Sequence, residues 1–175
     1  VSFLLVSRLL GEKGLREYAA AAKIVKSKFP KANFELVGAE DASLDAISLE
    51  EVRSWSNFID YKGSTNDVRP YIKRCHVYVL PSYHEGLPRS TLEAMSMGRP
   101  VITTDAVGCK ETVDNGINGF IVPVRSVKKL AEKMIWFIEN RDKIQIMGEQ
   151  SRIIVEKKFD VRIINKEMLK IMGIH

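Results

Sequence analysis

Cysteine is scarce. Cys75 and Cys109 are the only two in 175 residues. They are too few for a disulfide framework and lack metal-site spacing, which points to a reducing cytosol. Long apolar runs are missing too. Val77-Tyr78-Val79-Leu80 is typical of the longest, a handful of residues, so nothing reads as a bilayer span. Repeats, low-complexity stretches and interdomain linkers are likewise absent. At 45% apolar and 28% charged residues, the composition excludes disorder and collagen-like structure. Neither Met nor a signal-peptide n-region opens the chain, which starts at Val1 beside Phe3-Leu4-Leu5-Val6. The expectation is a piece cut from a longer protein.

A strong charge of one sign is also lacking. Twenty-seven Lys and Arg against 22 Asp and Glu leave a net charge of +5. Residues 1–120 balance at 15 each, and residues 121–175 carry 12 against 7. A nucleic-acid binder concentrates basic residues more heavily, with aromatics between them, so no nucleic acid is expected as a partner. A modest excess on closing helices reads as a solvated face, or as a surface meeting an anionic membrane or a phosphorylated substrate.

What is present is alternation. Apolar runs at 3–7, 34–38, 58–61, Val77–Leu80, Val101–Thr104 and Gly119–Val122 read as strands. Helical patterns lie between them. Leu15, Tyr18, Ala22, Val25 and Phe29 mark one helix face, and shorter helices are expected at 48–56, 67–74, 89–97 and 110–114. Ser48-Leu49-Glu50-Glu51 has capping-box spacing. From Ser126 the pattern is helical to the end, with breaks near Asn140 and Phe159-Asp160. The strands are continuously apolar, so both sheet faces are covered. The fold class is therefore α/β: a doubly wound, Rossmann-like parallel sheet of six strands with helices on both faces. Ligands of such sheets sit outside the carboxyl ends of strands, which confines the search to 7–14, 38–41, 62–66 and 81–89.

The first exit, Ser7-Arg8-Leu9-Leu10-Gly11-Glu12-Lys13-Gly14, brings two cations to one rim ahead of a helix. Guanidinium plus ammonium suits a diphosphate, although two solvated cations on a glycine turn would look the same. The pattern is neither G-x-G-x-x-G nor G-x-x-x-x-G-K-[ST], which disfavours a dinucleotide or kinase-type phosphate loop. The fourth exit carries Glu85 in a loop and Glu93 in the following helix, both over one strand exit with hydroxyl-accepting oxygens. Gly86 permits close approach of a ligand, and the helix start at 88–91 offers N–H donors to a phosphate. Ser90-Thr91-Leu92-Glu93 also has capping-box spacing, so Glu93 has a purely structural alternative worth about 1 kcal/mol. His84 reads as surface, His76 as structural, Asp105 as a cap or turn, Glu111 as support for the loop near the site, and Cys109 as an incidental thiol.

Residues 85–102 read E-G-L-P-R-S-T-L-E-A-M-S-M-G-R-P-V-I, and residues 108–123 read G-C-K-E-T-V-D-N-G-I-N-G-F-I-V-P. With the loop around Arg8 and Lys13 and the E-x7-E spacing of Glu85 and Glu93, the whole chain resembles the C-terminal, donor-binding half of retaining glycosyltransferases of family 4, group 1 type. These have the GT-B fold. The resemblance implies that Arg8 and Lys13 hold the donor diphosphate and assist its departure. It implies that Glu85, with amides near Gly86 and Leu87, grips sugar hydroxyls, and that Glu93 accepts the ribose hydroxyls. The helix start at Pro88, Ser90 and Thr91 would face the distal phosphate, and Lys62-Gly63 would read the nucleobase. Arg8, Lys13 and Glu85 are then the catalytic set. No metal and no cofactor are implied, only a nucleotide-sugar substrate, a UDP- or GDP-sugar. The implied partners are a glycan or lipid-linked acceptor and the chain's own N-terminal domain. The implied setting is cytoplasmic, at the inner face of a bacterial membrane, with possible peripheral membrane contact.

The expected division is a nucleotide-sugar domain over 1–158 and a closing helix over 159–175 that crosses toward the missing half. That helix would leave Ile163, Ile164, Met168, Leu169 and Ile171 exposed in the fragment, which should bind a donor but turn over little by itself. A sugar-nucleotide epimerase of the same fold and a non-catalytic α/β ligand-binding module are the alternatives.

Overall fold

The computed structural model describes residues 1–172, apart from the side chains at 163, 164 and 167. Six parallel strands form one sheet: β1 (Ser2–Val6), β2 (Asn33–Val37), β3 (Asp60–Tyr61), β4 (Val77–Leu80), β5 (Val101–Thr104) and β6 (Gly119–Val122). Their order is β3-β2-β1-β4-β5-β6. The chain winds outward from β1 in one direction, returns to β4, and winds outward in the other. That reversal between β1 and β4 is the switch point at which such sheets open a crevice.

Among the described residues seven helices follow or flank the strands: α1 (Leu15–Lys28), α2 (Leu49–Ser54), α3 (Arg69–Arg74), α4 (Arg89–Ser96), α5 (Val127–Glu139), α6 (Asp142–Lys158) and α7 (Val161–Ile171), of which α7 lies exposed. Successive strand residues face opposite sides, and both sides are apolar. Phe3 and Leu5 pack with Tyr18, Phe34 and Met134 in the layer of α1 and α5. Leu4 packs with Ile72, Tyr78, Met95 and Ile154 in the layer of α3, α4 and α6. A continuous apolar run is what such a two-sided strand requires. Phe3 stacks on Phe34 with ring centroids 5.0 Å apart, locking β1 to β2.

Several expected boundaries shift, each for a local reason. β3 is two residues long, because the amides of Phe58 and Ile59 still donate to the Trp55 carbonyl at the end of the preceding helical turn. The helix expected at 110–114 is a single 3-10 turn, Lys110–Thr112. Ser48 caps α2 by accepting from the Glu51 amide at 3.2 Å, but the Glu51 carboxylate completes no box, since Arg16 holds both of its oxygens. The second capping box does not form. Helix α4 opens at Arg89 behind Pro88, with no side-chain cap, so Ser90 already sits inside the first turn. Phe159 packs against the α3–α4–α6 layer. Beyond it Val161, Met168, Leu169, Ile171 and Met172 of and next to α7 are exposed, while the side chains of Ile163 and Ile164 lie outside the described residues.

Candidate functional site

The exits of β1 and β4 are laced together. A 3-10 turn at Gly11–Lys13 ends on Gly14 in the left-handed region, φ +72°. A Cβ there would lie 2.1 Å from the Pro81 carbonyl oxygen, so only glycine lets the β1 loop press against the β4 exit. The Glu12 carbonyl then accepts from the Tyr83 amide at 2.8 Å and the Ser82 hydroxyl at 3.1 Å. Glycine is needed again at Gly38, where a Cβ would meet the Ser7 carbonyl oxygen and part the exits of β1 and β2.

These contacts place Lys13 opposite Glu85. The Lys13 ammonium lies 2.9 Å from Glu85 Oε1, and each side chain is only about 15% exposed. A groove of about 340 Å³ opens beside the pair, lined by Ser7, Arg8, Lys13, Gly38, Glu85, Leu87, Pro88 and Ser90 among others. The amides of Arg89 and Ser90, at the head of α4, donate to no backbone carbonyl among the described residues, leaving two donors at one end. The Ser90 hydroxyl is bonded at 2.7 Å to the hydroxyl of the buried Tyr78. Thr91 Oγ1 is buried without a partner among the described residues.

Arg8 sits on the groove's outer rim, its side chain 64% exposed, with Nη1 donating to Asp41 Oδ2 at 2.6 Å. Asp41 belongs to the β2 exit. Its carboxyl is held below the usual range, first by hydrogen bonds from Ser43 and then by the Arg8 guanidinium. A loop after β5 supports Glu85 from behind. The Glu85 amide donates to the Val107 carbonyl at 3.1 Å, and a Cβ at Gly108 would fall 2.1 Å from the Glu85 carbonyl oxygen. Support comes from Gly108, whereas the Glu111 side chain expected to provide it is exposed and bonded to nothing among the described residues.

The fold thus gathers Arg8, Lys13, Glu85, Leu87, Pro88 and Ser90 on one groove. Gly86 stands beside it with open space around its Cα. Glu93 does not share that groove. It is exposed on α4 and lines a neighbouring concavity of about 380 Å³ with Arg69, Leu92, Met97, Val155 and Phe159; the two concavities have Arg89 in common. Lys62 and Gly63 follow β3, two strands away. The Lys62 ammonium is paired with Asp60, and the Gly63 carbonyl accepts from the Gly38 amide at 2.9 Å. Asp105 turns the chain as expected, accepting from the Val124 amide at 3.0 Å. His84 is exposed, and His76 is bonded to Ser2 far from the groove.

Asp41 is the member that sequence reasoning missed. Its position in the β2 exit, next to the strand that delivers Arg8, was the available signal. Among the described residues no three His, Cys, Asp or Glu side chains gather to hold a metal ion, and no helix is long and apolar enough to cross a membrane.

Comparison with known proteins gives concordant matches. The family model for glycosyl transferases group 1 matches residues 2–153. The N,N'-diacetylbacillosaminyl-diphospho-undecaprenol alpha-1,3-N-acetylgalactosaminyltransferase of Campylobacter jejuni is 32% identical over 96% of this chain and 43% of its own length. The capsular polysaccharide biosynthesis glycosyltransferase CapM of Staphylococcus aureus is 30% identical over 93% of this chain and 43% of its own. Among solved structures, Anabaena HepE in complex with UDP superposes with a TM-score of 0.86 at 25% identity, over 98% of this chain and 48% of that one. The C-terminal domain of a group 1 glycosyl transferase, LpcC of Francisella tularensis, gives 0.79 at 21% identity, over 91% of this chain and 86% of that one. The chain therefore spans less than half the length of these curated relatives.

Proposed function

The chain belongs to the group 1 glycosyl transferases, and on that premise we propose that it is the donor-binding half of a retaining enzyme of GT-B fold. Its substrate is a nucleotide sugar. The observation that carries this reading is the convergence of Arg8, Lys13 and Glu85 on one groove at the β1/β4 switch point. Two cations suit a diphosphate, and a carboxylate beside them suits sugar hydroxyls.

In this reading the diphosphate lies between Arg8 and Lys13, with its distal phosphate toward the amides at the head of α4. The Lys13–Glu85 pair is divided: the ammonium turns to the phosphates, while Glu85 takes sugar hydroxyls together with the amides of Gly86 and Leu87. As the glycosidic bond breaks, the sugar becomes oxocarbenium-like and negative charge builds on the departing diphosphate. Fixed cations stabilise that charge where it develops, which lowers the barrier without a metal. The nucleoside runs past Arg89 into the neighbouring concavity, where Glu93 accepts the ribose hydroxyls, and the base reaches the turn at Lys62-Gly63.

Because the chain spans 43% of its curated relatives, acceptor binding and full turnover belong to the remaining half. The acceptor is a glycan or lipid-linked, as the names of both relatives suggest. The exposed apolar residues of α7 suit packing against that half, and the basic excess of the closing helices suits peripheral contact with an anionic membrane.

The test is ligand-observed NMR of the chain with UDP, GDP, ADP and their sugar conjugates. One nucleoside diphosphate and its conjugate should bind saturably, and binding of none would refute the reading.

A further inference from the structure

A large concavity lies at the opposite end of the sheet from the donor groove. It measures about 780 Å³ and opens between the amino ends of β1, β4 and β5 and the head of α6. His76, Arg99, Arg141 and Arg152 all line it, with Glu149 as the only carboxylate among the described lining residues.

The charges here are balanced differently from those in the donor groove. There Arg8 has Asp41 and Lys13 has Glu85. Here, among the described residues, only Arg152 has a carboxylate partner, Glu156, and it also donates to the Ser96 carbonyl. Arg99 gives one hydrogen bond, from Nη2 to the Lys73 carbonyl at 3.2 Å, and its Nε is buried with no partner among the described residues. Arg141 is exposed and forms no ion pair among the described residues. A buried charged donor without an acceptor is a cost that a bound anion removes.

Histidine adds a directed donor. The Ser2 amide donates to His76 Nδ1 at 3.2 Å, so Nδ1 is the acceptor nitrogen and the ring proton sits on Nε2. Burial is the largest influence pushing this imidazole toward its neutral form, and the guanidinium groups of Arg99 and Arg141 push the same way. The two unpaired guanidinium groups thus act on the same ring, which supports their convergence on one space.

We propose that this cavity is a second anion site, which takes a small phosphorylated solute through Arg99 and Arg141, with Arg152 and His76 Nε2–H as further donors. Guanidinium groups match phosphate oxygens two at a time, and the volume suits a small-molecule ligand carrying that phosphate.

The test is a titration of the full chain with pyrophosphate, and separately with inorganic phosphate, at fixed pH and ionic strength. The readout is the His76 ring signal, followed in the parent and in Arg141→Gln, Arg99→Gln and Arg8→Ala. A saturable shift is expected that survives Arg8→Ala and weakens roughly tenfold in each of the other two. Arg141 is exposed, so its variant keeps the fold even if Arg99→Gln does not. An unmoved His76 signal, unchanged affinity in Arg141→Gln, or a loss in Arg8→Ala would each overturn the assignment.

Discussion

Lys13 and Glu85 are each held by the other at 2.9 Å in a half-enclosed space, which makes the chemistry of the groove partly internal. Removing Glu85 takes away the competitor of any anion for the Lys13 ammonium. Glu85→Ala should therefore leave nucleoside diphosphate affinity undiminished while weakening the sugar-bearing donor, whereas Glu93→Gln should weaken both. Paired titrations with the diphosphate and its sugar conjugate check this; equal losses for both ligands in Glu85→Ala would contradict it. The two cysteines lie at the inert end of the scale. Burial pushes the Cys75 thiol up to about 12 and raises Cys109 as well. Both are at most 3% exposed, so neither should react with an aromatic disulfide reagent in the native protein at pH 8, where only the thiolate attacks. Rapid modification of either would mean that the fold opens locally. Arg8, Lys13 and Glu85 were legible in the sequence because each carries charge at a strand exit. Asp41 carries charge at a strand exit as well but was passed over, because nothing local says that its partner lies 33 positions earlier, across a strand pair.

At the scale of elements, the six strands and their parallel, two-sided sheet were readable because continuous apolar runs have few uses other than a two-sided parallel sheet. Helix starts were less so. Ser90 and Glu93 have capping-box spacing, yet the hydroxyl of Tyr78 engages Ser90 and Pro88 opens the helix. A side chain from the sheet thus outcompetes a local cap, and the site changes with it, since Glu93 faces the neighbouring concavity. The turn between the 3-10 segment and α1 allows a direct check. Gly14→Ala forces a left-handed alanine, costing roughly 1–2 kcal/mol, and drives its Cβ into the Pro81 carbonyl. Denaturant unfolding should show a loss of at least that size, accompanied by loss of ligand binding in the groove. A change below about 0.5 kcal/mol, the usual range of a neutral surface substitution, would mean that the β1 and β4 exits are not held as described.

At the scale of the whole molecule, the sheet has two chemically distinct ends. One carries paired charges around a narrow groove at the switch point, and the other carries arginines in excess of carboxylates. Helix α7 stands apart from both, presenting Val161, Met168, Leu169 and Ile171 outward. Phe159 still packs on the core, so a chain ending there should keep its unfolding free energy to within about 1 kcal/mol. A larger loss would make α7 part of this domain rather than a surface for its other half.

The central claim is that the β1/β4 groove holds a donor diphosphate, and calorimetric titration of the chain with UDP, GDP and ADP, beside its Arg8→Ala and Lys13→Ala variants, tests it most directly. Loss of one charge-assisted contact predicts affinities roughly five- to a hundredfold weaker in each variant. Salt dependence should also be reduced, because one cation fewer meets the diphosphate. Binding of none of the three, or binding of equal strength in the parent and in both variants with circular dichroism showing the fold intact, would contradict the account.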